Sequence, residues 1–563
     1  MHKSINIWYL LLAITAFLLY GFLIGGWWYG DDPEIVVFAS KHSPFEYLFN
    51  PSVWQSFSPF NLTPWILLSL NPDILFSDFN PSGYYLHQMF ALFIVSLIFF
   101  KVLNLFTENR VIALTAVLIF LLTPATFSVA SWLSARHYLE GMGFSLLSIY
   151  FFVKGMRNSK MLFILISALF HTLASVSKEV YVPLPFLLLL LPEKTFKNRL
   201  MQAIPLFTVS VLYFFYRMEM LGDNPLGGYS SIWPWTPGSA LVNFKEIFRL
   251  YAGSWLVFFP VLITIILNIL LYKDWKAGAR EISRYILVFL IFFIPVLPVS
   301  SILSSGESLR YIFIISALIT SFYILSLDRI WNKGSRVYKT FAGAGLIIVV
   351  ICFFYSYKEQ RNVWHMKRAQ ASTEGKFFIG NSGSLDAIFR ISQPHWFYDG
   401  LEKMEEEHMN EKIQRKIRLV VDGFYGFERN TSETISALQV FAYDVNTGNI
   451  TDISEEARAV REDFLRRVKD KPLEVLIEIQ DNTMQLQLNP YDGQYILLEA
   501  SPAQPDFYYL AFPVNKNFGI KLTHREKVRI FRFAYKSPEG WITLSPGFLI
   551  DRSKDRTIKW SRL

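Results

Sequence analysis

Residues 5–32 read INIWYLLLAITAFLLYGFLIGGWWYGDD. No charge interrupts the run from Ile5 to Gly26; three aromatic rings follow at Trp27, Trp28 and Tyr29, and then two adjacent carboxylates, Asp31 and Asp32. A helix of about 20 apolar residues crosses the hydrocarbon of a bilayer, and amphipathic rings collect where hydrocarbon meets water. Similar apolar blocks recur as far as Tyr355, in a chain that is 52% hydrophobic and 17% aromatic. Met1-His2-Lys3 ahead of an apolar run has the outline of a signal peptide. The run is long, however, and ends in Gly-Gly-Trp-Trp without a small-residue cleavage pattern, so the expectation is an uncleaved first helix.

Reading outward from that helix, spans are predicted near 5–28, 84–104, 111–128, 131–153, 161–177, 180–192, 201–218, 252–272, 285–303, 311–327 and 340–356, about eleven in all. The short pair around Ser175 has the weakest signal. Loops on the N-terminal side of these spans carry Lys154/Arg157/Lys160, Lys194/Lys197/Arg199, Lys273/Lys276/Arg280/Arg284 and Arg329/Lys333/Arg336/Lys339. The long opposite loop from Gly30 to Gly83 holds only Lys41. The positive-inside rule then puts the N-terminus in the cytoplasm, and an odd number of spans puts Asp31-Asp32 and the C-terminus outside.

The net charge of +8 is spread over these loops, which serves topology and argues against a nucleic-acid partner. Cys352 is the single cysteine, so there is neither a disulfide framework nor a thiolate metal site. The expected fold is a polytopic α-helical membrane domain over residues 1–356. A mainly β (α+β) soluble extracytoplasmic domain follows over 357–563. About 200 residues are enough for a core of its own.

On this topology one face collects the charges. Asp31 and Asp32 open the first outer loop, with Glu34 behind them; Arg136-His137 begin the fourth span. Lys178-Glu179 lie between the fifth and sixth spans, and Glu307 and Arg310-Tyr311 precede the tenth. Charges held near lipid are costly and point to a function. Carboxylates facing cations suit transfer from a lipid phosphate to an acceptor hydroxyl: one carboxylate takes the proton while cations bind the phosphate. Each residue also has an ordinary role. The acidic pair can cap a helix, Lys178-Glu179 can be a local ion pair, and Arg136 and Arg310 can snorkel. His87 and His137 have no partner at metal-ligand spacing and read as interfacial polar groups. Glu34 with Asp32 could hold a divalent cation, Mg2+ or Mn2+, though the chemistry does not demand one.

Asn80-Pro81-Ser82-Gly83-Tyr84-Tyr85-Leu86-His87 resembles the second span of GT-C glycosyltransferases, most of all the membrane region of the tetratricopeptide-repeat O-mannosyltransferases and their bacterial relatives. Phe120 with Pro124, Trp132 with Arg136, Ser177-Lys178-Glu179, Arg310-Tyr311 and Asp31-Asp32 resemble further motifs of that family in the same order. The match covers roughly residues 10 to 330. Two features depart from it. Asn61-Leu62-Thr63-Pro64 stands where members often have Arg-Pro, and the C-terminal region has no 34-residue repeat.

The resemblance implies an inverting hexosyltransferase of a bacterial inner membrane, working on the periplasmic face. Its donor would be a polyprenyl-phosphate sugar within the membrane lipid, and its acceptor a hydroxyl of protein, lipid or glycan. Asp31, with Asp32 as the alternative, would be the base; Arg136, Lys178 and Arg310 would hold the phosphate, with Glu179 orienting Lys178. A lipid-linked sugar flippase, a polysaccharide polymerase or ligase, and a structural scaffold are the rivals.

From Phe377 onward, alternating runs at 473–479, 496–500, 507–512, 528–533 and 541–544 predict antiparallel strands, plausibly a sandwich, with helical insertions at 401–416 and 454–469. Asn430-Thr-Ser and Asn449-Ile-Thr match glycosylation acceptor triplets, which also arise by chance.

Overall fold

The structure, a computed structural model, describes residues 7–58, 61–222, 247, 249–251, 255–272, 275–296, 306–421, 438–480, 483–501, 504–521, 528–551 and 559–562. The chain divides into two compact units, Met1–Gly26 with Ala39–His365, and Trp27–Phe38 with Met366–Leu563. The boundary expected at residue 356 falls inside one continuous helix, Arg336–Asn381. The short segment carrying the acidic pair belongs to the C-terminal unit.

The first unit is helical. Among the described residues, five helices are long and apolar enough to cross a bilayer: Ile7–Gly25, Pro81–Leu103, Phe196–Leu221, Leu309–Lys333 and Arg336–Asn381. A bent pair, Arg110–Leu122 and Pro124–Ala130, makes a sixth candidate, with a 65° turn at the join. By helix length and composition this is a multi-pass membrane protein; the shorter apolar helices Met161–Ser177, Glu179–Leu190 and Leu256–Leu270 would bring the candidates among the described residues to nine, short of the eleven expected. The first helix shows the two environments plainly. Leu12, Ala16 and Tyr20 repeat every four residues on its buried side, while Ile7, Leu10, Leu11, Ile14, Phe17 and Leu18 are exposed.

Local chemistry sets the helix boundaries. Thr123 precedes a proline, which excludes it from the helical region. It adopts an extended conformation instead, and its hydroxyl caps the next helix by accepting the Thr126 N–H at 3.3 Å. Asn80 likewise caps Pro81–Leu103, accepting from the Ser82 N–H at 3.1 Å. The stretch read as a long outer loop is largely helical, with Asp32–Lys41, Pro44–Phe49, Pro51–Phe57 and Pro64–Ser77. The last three start at proline, whose fixed φ suits the first helical position. Helix Arg136–Asn158 passes so close to Met161–Ser177 and Tyr181 that a Cβ on Gly141 would lie 2.5 Å from the Tyr181 ring.

The second unit carries three sheets. The first is mixed: β1 (Ala387–Ile391) pairs in parallel with β2 (Arg418–Val421) and β3 (Gln439–Asp444), and β4 (Asn449–Asp452) closes it antiparallel to β3. The second is antiparallel, in the order β13 (Lys559–Arg562), β12 (Phe548–Asp551), β10 (Val528–Lys536), β7 (Tyr495–Ser501), β8 (Gln504–Val514), with β11 (Ile542–Leu544) against β10. The third joins β5 (Glu474–Gln480), β6 (Thr483–Asn489) and β9 (Asn517–Lys521). Met484, Leu486 and Leu488 of β6 share one core with Leu497, Phe531, Phe533 and Phe548, so the second and third sheets face each other as the alternating pattern predicts. The mixed sheet was not anticipated. The helical insertions span His395–Met409 and Ser454–Arg467.

Candidate active site

Arg136 and His137 begin a helix, and successive helical residues point about 100° apart. They therefore serve two different clusters of the first unit.

Arg136 turns inward and is fully buried. Its Nη1 is ion-paired with Asp73 and donates to the Ser69 carbonyl at 3.3 Å; Nη2 donates to the Tyr84 carbonyl at 2.7 Å, and Nε to Gln88 Oε1 at 2.9 Å. His87 extends the cluster, with Nδ1 2.8 Å from Asp73 and Nε2 3.5 Å from Glu140. Glu140 in turn accepts from Trp65 Nε1 at 2.6 Å and Ser69 Oγ at 2.8 Å. Every guanidinium nitrogen of Arg136 thus has a protein partner. This arrangement allows a buried charge to persist.

His137 faces the other cluster. Its ring lies 4.6 Å from that of Tyr138, and it interacts electrostatically with both Lys178 and Arg310. Lys178, buried in the extended turn that ends helix Met161–Ser177, places its Nζ 5.6 Å from the Tyr138 ring centre and 3.1 Å from Glu179. The second Glu179 oxygen is 3.5 Å from Arg217. Arg310 lies 4.3 Å over the Trp132 ring and 5.1 Å from that of Tyr311, and donates to the Tyr311 hydroxyl at 3.3 Å. Tyr311 meets Tyr138 edge-on at 6.1 Å. Cations held on aromatic faces gain from the ring quadrupole.

Within the second unit the two aspartates differ sharply. Asp32 is 1% exposed; its Oδ2 accepts the Tyr29 N–H at 3.1 Å and lies 3.8 Å from Arg368. Arg368 also donates to the Trp27 carbonyl at 3.1 Å and stacks over Tyr29 at 4.3 Å. Asp31 is half-buried, and its Oδ1 accepts from Trp396 Nε1 at 2.9 Å. The Gly30 N–H reaches Gln393 Oε1 at 3.4 Å. Pro33 and Glu34 press on Gly400, where a Cβ would lie 2.7 Å from the Glu34 nitrogen. Behind this, Glu374 accepts from the Tyr398 hydroxyl at 2.5 Å, Ser392 Oγ at 2.7 Å and Gln370 Nε2 at 2.9 Å. Burial, and then the Glu374 charge, hold the Tyr398 hydroxyl well above the usual phenol range, so it remains a donor.

Lys178, Glu179, His137, Arg310 and Tyr311 are thus gathered in one cluster, Arg136 and His87 in another, and Asp31, Asp32 and Glu34 on one short segment. The Glu307 side chain and Asn430 lie outside the described residues, and Asn449 is exposed at the start of β4. Sequence reasoning missed Asp73, Glu140, Arg217, Arg368 and Trp396. For Asp73 and Glu140 a signal existed, because each is an acid inside an apolar helix. Among the described residues, no group of three or more His, Cys, Asp or Glu side chains is arranged to hold a metal ion. Asp32, the expected partner of Glu34 for a cation, is engaged by Arg368.

No protein-family model and no curated protein matches the chain. Among solved structures it is similar to ArnT from Cupriavidus metallidurans bound to undecaprenyl phosphate, at 11% identity and TM-score 0.44, covering 79% of this chain and 94% of that one. It is also similar to the Archaeoglobus fulgidus oligosaccharyltransferase with zinc and sulfate, at 10% identity and TM-score 0.44, covering 99% and 98%. The oligosaccharyltransferase AglB of the same organism, in complex with an inhibitory peptide and a dolichol-phosphate, is similar at 10% identity and TM-score 0.47, covering 99% and 97%.

Proposed function

We propose that the protein is a GT-C-type membrane glycosyltransferase that moves a sugar from a polyprenyl-phosphate donor to an acceptor hydroxyl. The observation that carries this is the pair of cations set around Tyr138: Lys178 lies over its ring, and Arg310 lies over Trp132 and Tyr311, whose ring meets Tyr138 edge-on. Such a site favours a compact anion with a hydrophobic neighbour, which describes a lipid monophosphate. A cavity of about 550 Å3 supports the same reading. It is lined along helix Phe313–Lys333 by Ile314, Ala317, Leu318 and Phe322, and so begins one turn beyond Arg310-Tyr311. An apolar tail would lie there.

In the reaction, the acceptor hydroxyl gives its proton to the free oxygen of Asp31 while its own oxygen bonds to the anomeric carbon. The bond from that carbon to the phosphate oxygen breaks, and polyprenyl phosphate leaves with the electron pair. Lys178 and Arg310 stabilise the charge that develops on it. A single displacement inverts the anomeric configuration. Glu179, shared with Arg217, orients Lys178. Arg136 has its nitrogens engaged internally, so its role is to hold Asp73, His87 and Gln88 in place rather than to meet the phosphate. Asp32 serves to fix the segment that bears Asp31. A divalent cation, Mg2+ or Mn2+, would meet the half-buried carboxylates of Asp31 and Glu34, and no step is routed through it. On this reading the protein lies in a bacterial inner membrane with the C-terminal domain in the periplasm; the charges of the cationic loops support a cytoplasmic N-terminus. The sugar and the acceptor, whether protein, lipid or glycan, are left to the assay.

The test is transfer of label from a radiolabelled polyprenyl-phosphate hexose in membranes, comparing wild type with Asp31→Asn and Asp32→Asn. Asp31→Asn should lower transfer by about 100- to 10,000-fold in folded protein. Donor that is moved across the bilayer without transfer, equally by wild type and both variants, would instead establish a flippase.

A further inference from the structure

We infer that Trp396 is a positioning residue for Asp31, and that helix His395–Met409 exists in part to set the aim of that carboxylate. The inference rests on Asp31 being the base.

The segment Trp27–Phe38 has little structure of its own before its helix begins at Asp32. Its backbone is nonetheless tied down at three points inside the second unit, by different means. The Trp27 carbonyl accepts from Arg368, the Gly30 N–H donates to Gln393, and the Pro33–Glu34 backbone rests on Gly400 with no room for a methyl group. Asp32 spends its charge on Arg368 and its Oδ2 on the Tyr29 N–H. Asp31 is treated differently. Among the described residues it receives one side-chain donor, the Trp396 indole, on Oδ1, and Oδ2 is the proposed proton acceptor.

An indole N–H suits this task. It donates and cannot accept, it cannot ionise, and its rigid ring fixes the carboxylate plane. Trp396 itself is 39% exposed, an unusual position for a large ring unless its polar edge is in use. The support continues behind it. Glu374 gathers Ser392, beside Gln393, and Tyr398, two residues beyond Trp396, so the strand end and helix start that carry these donors are locked by one buried carboxylate.

The experiment measures transfer kinetics for wild type, Trp396→Phe, Trp396→His and Asp31→Asn in the full-length protein. Trp396→Phe keeps the ring and removes the donor. It should lower kcat by about 10- to 100-fold, as expected for losing a hydrogen bond to a charged group, and leave the donor KM unchanged. Trp396→His restores a ring N–H and should recover part of kcat. If Asp31→Asn is inactive while Trp396→Phe matches wild type in kcat, the positioning role is wrong and the base stands. If Asp31→Asn still transfers sugar, the base assignment fails and takes this inference with it. Should Trp396→Phe fail to accumulate, Trp396→Ala replaces it as the variant without the donor, and a Trp396→His kcat no better than that of Trp396→Ala overturns the role.

Discussion

Two clusters hang from one helix start, and they use their cations in opposite ways. Around Arg136 every positive nitrogen is met by a carboxylate, a carbonyl or an amide, and the guanidinium is sealed from solvent. Around Lys178 and Arg310 the charges lean on tryptophan and tyrosine faces, with the carboxylate of Glu179 beside Lys178 alone. A closed network of charge gives rigidity. An aromatic-backed one is where the proposed phosphate site lies. Arginines of the same unit thus stand in two different surroundings, with two different proposed tasks.

The comparison breaks most visibly if the closed cluster is opened. Asp73→Ala leaves Arg136 buried without its carboxylate, a change that costs about 3–5 kcal/mol. The folded fraction in membranes, followed by thermal unfolding in detergent, should collapse, and a double Asp73→Leu/Arg136→Leu variant should regain most of it. At the second cluster the expected pattern is reversed. Arg310→Gln should reduce sugar transfer by about 100- to 1,000-fold, while its unfolding temperature stays near wild type, because the side chain is only half-buried. An Arg310→Gln protein that unfolds as readily as Asp73→Ala would erase the distinction.

A smaller effect probes the contact that carries both clusters. Gly141→Ala places a methyl group against Tyr181 and should cost about 1–3 kcal/mol by overpacking, read as a lowered unfolding temperature with residual transfer. The mildest is Tyr311→Phe, which removes the hydroxyl that Arg310 meets at 3.3 Å and keeps the ring. About 1 kcal/mol is at stake, so kcat/KM should fall severalfold and no more.

Much of the architecture was legible because bilayers impose coarse rules. Apolar length marks helices such as Pro81–Leu103, and alternation marks strands such as β7 and β10, since one face of each is buried. The four helices between Asp32 and Ser77 were not read, because short helices that begin at a proline, two of them capped by Ser43 and Asn50, look like loop punctuation. Nor was the parallel pairing of β1, whose partners β2 and β3 begin about 30 and 50 residues later, beyond the range of any local pattern. At the site, Lys178, Arg310 and Tyr311 were visible as charges and rings at span ends. The different surroundings of Asp31 and Asp32 were not, since they depend on Arg368 and Trp396, more than 300 residues further along the chain. Arg136 illustrates the limit: its type and position suggested a phosphate ligand, and only the identity of its neighbour, Asp73, shows that its charge is already spent.

The indole of Trp396 and the carboxylate it holds are 365 residues apart in the chain. At about 5–20 residues per second, the acidic segment leaves the ribosome roughly 20–70 s before its partners exist. During synthesis, then, the nascent protein already has its cations and its membrane helices, yet Asp31 has no fixed orientation. Completion of the C-terminal unit is what ends that interval, so the order of translation itself delays the moment at which the carboxylate is set.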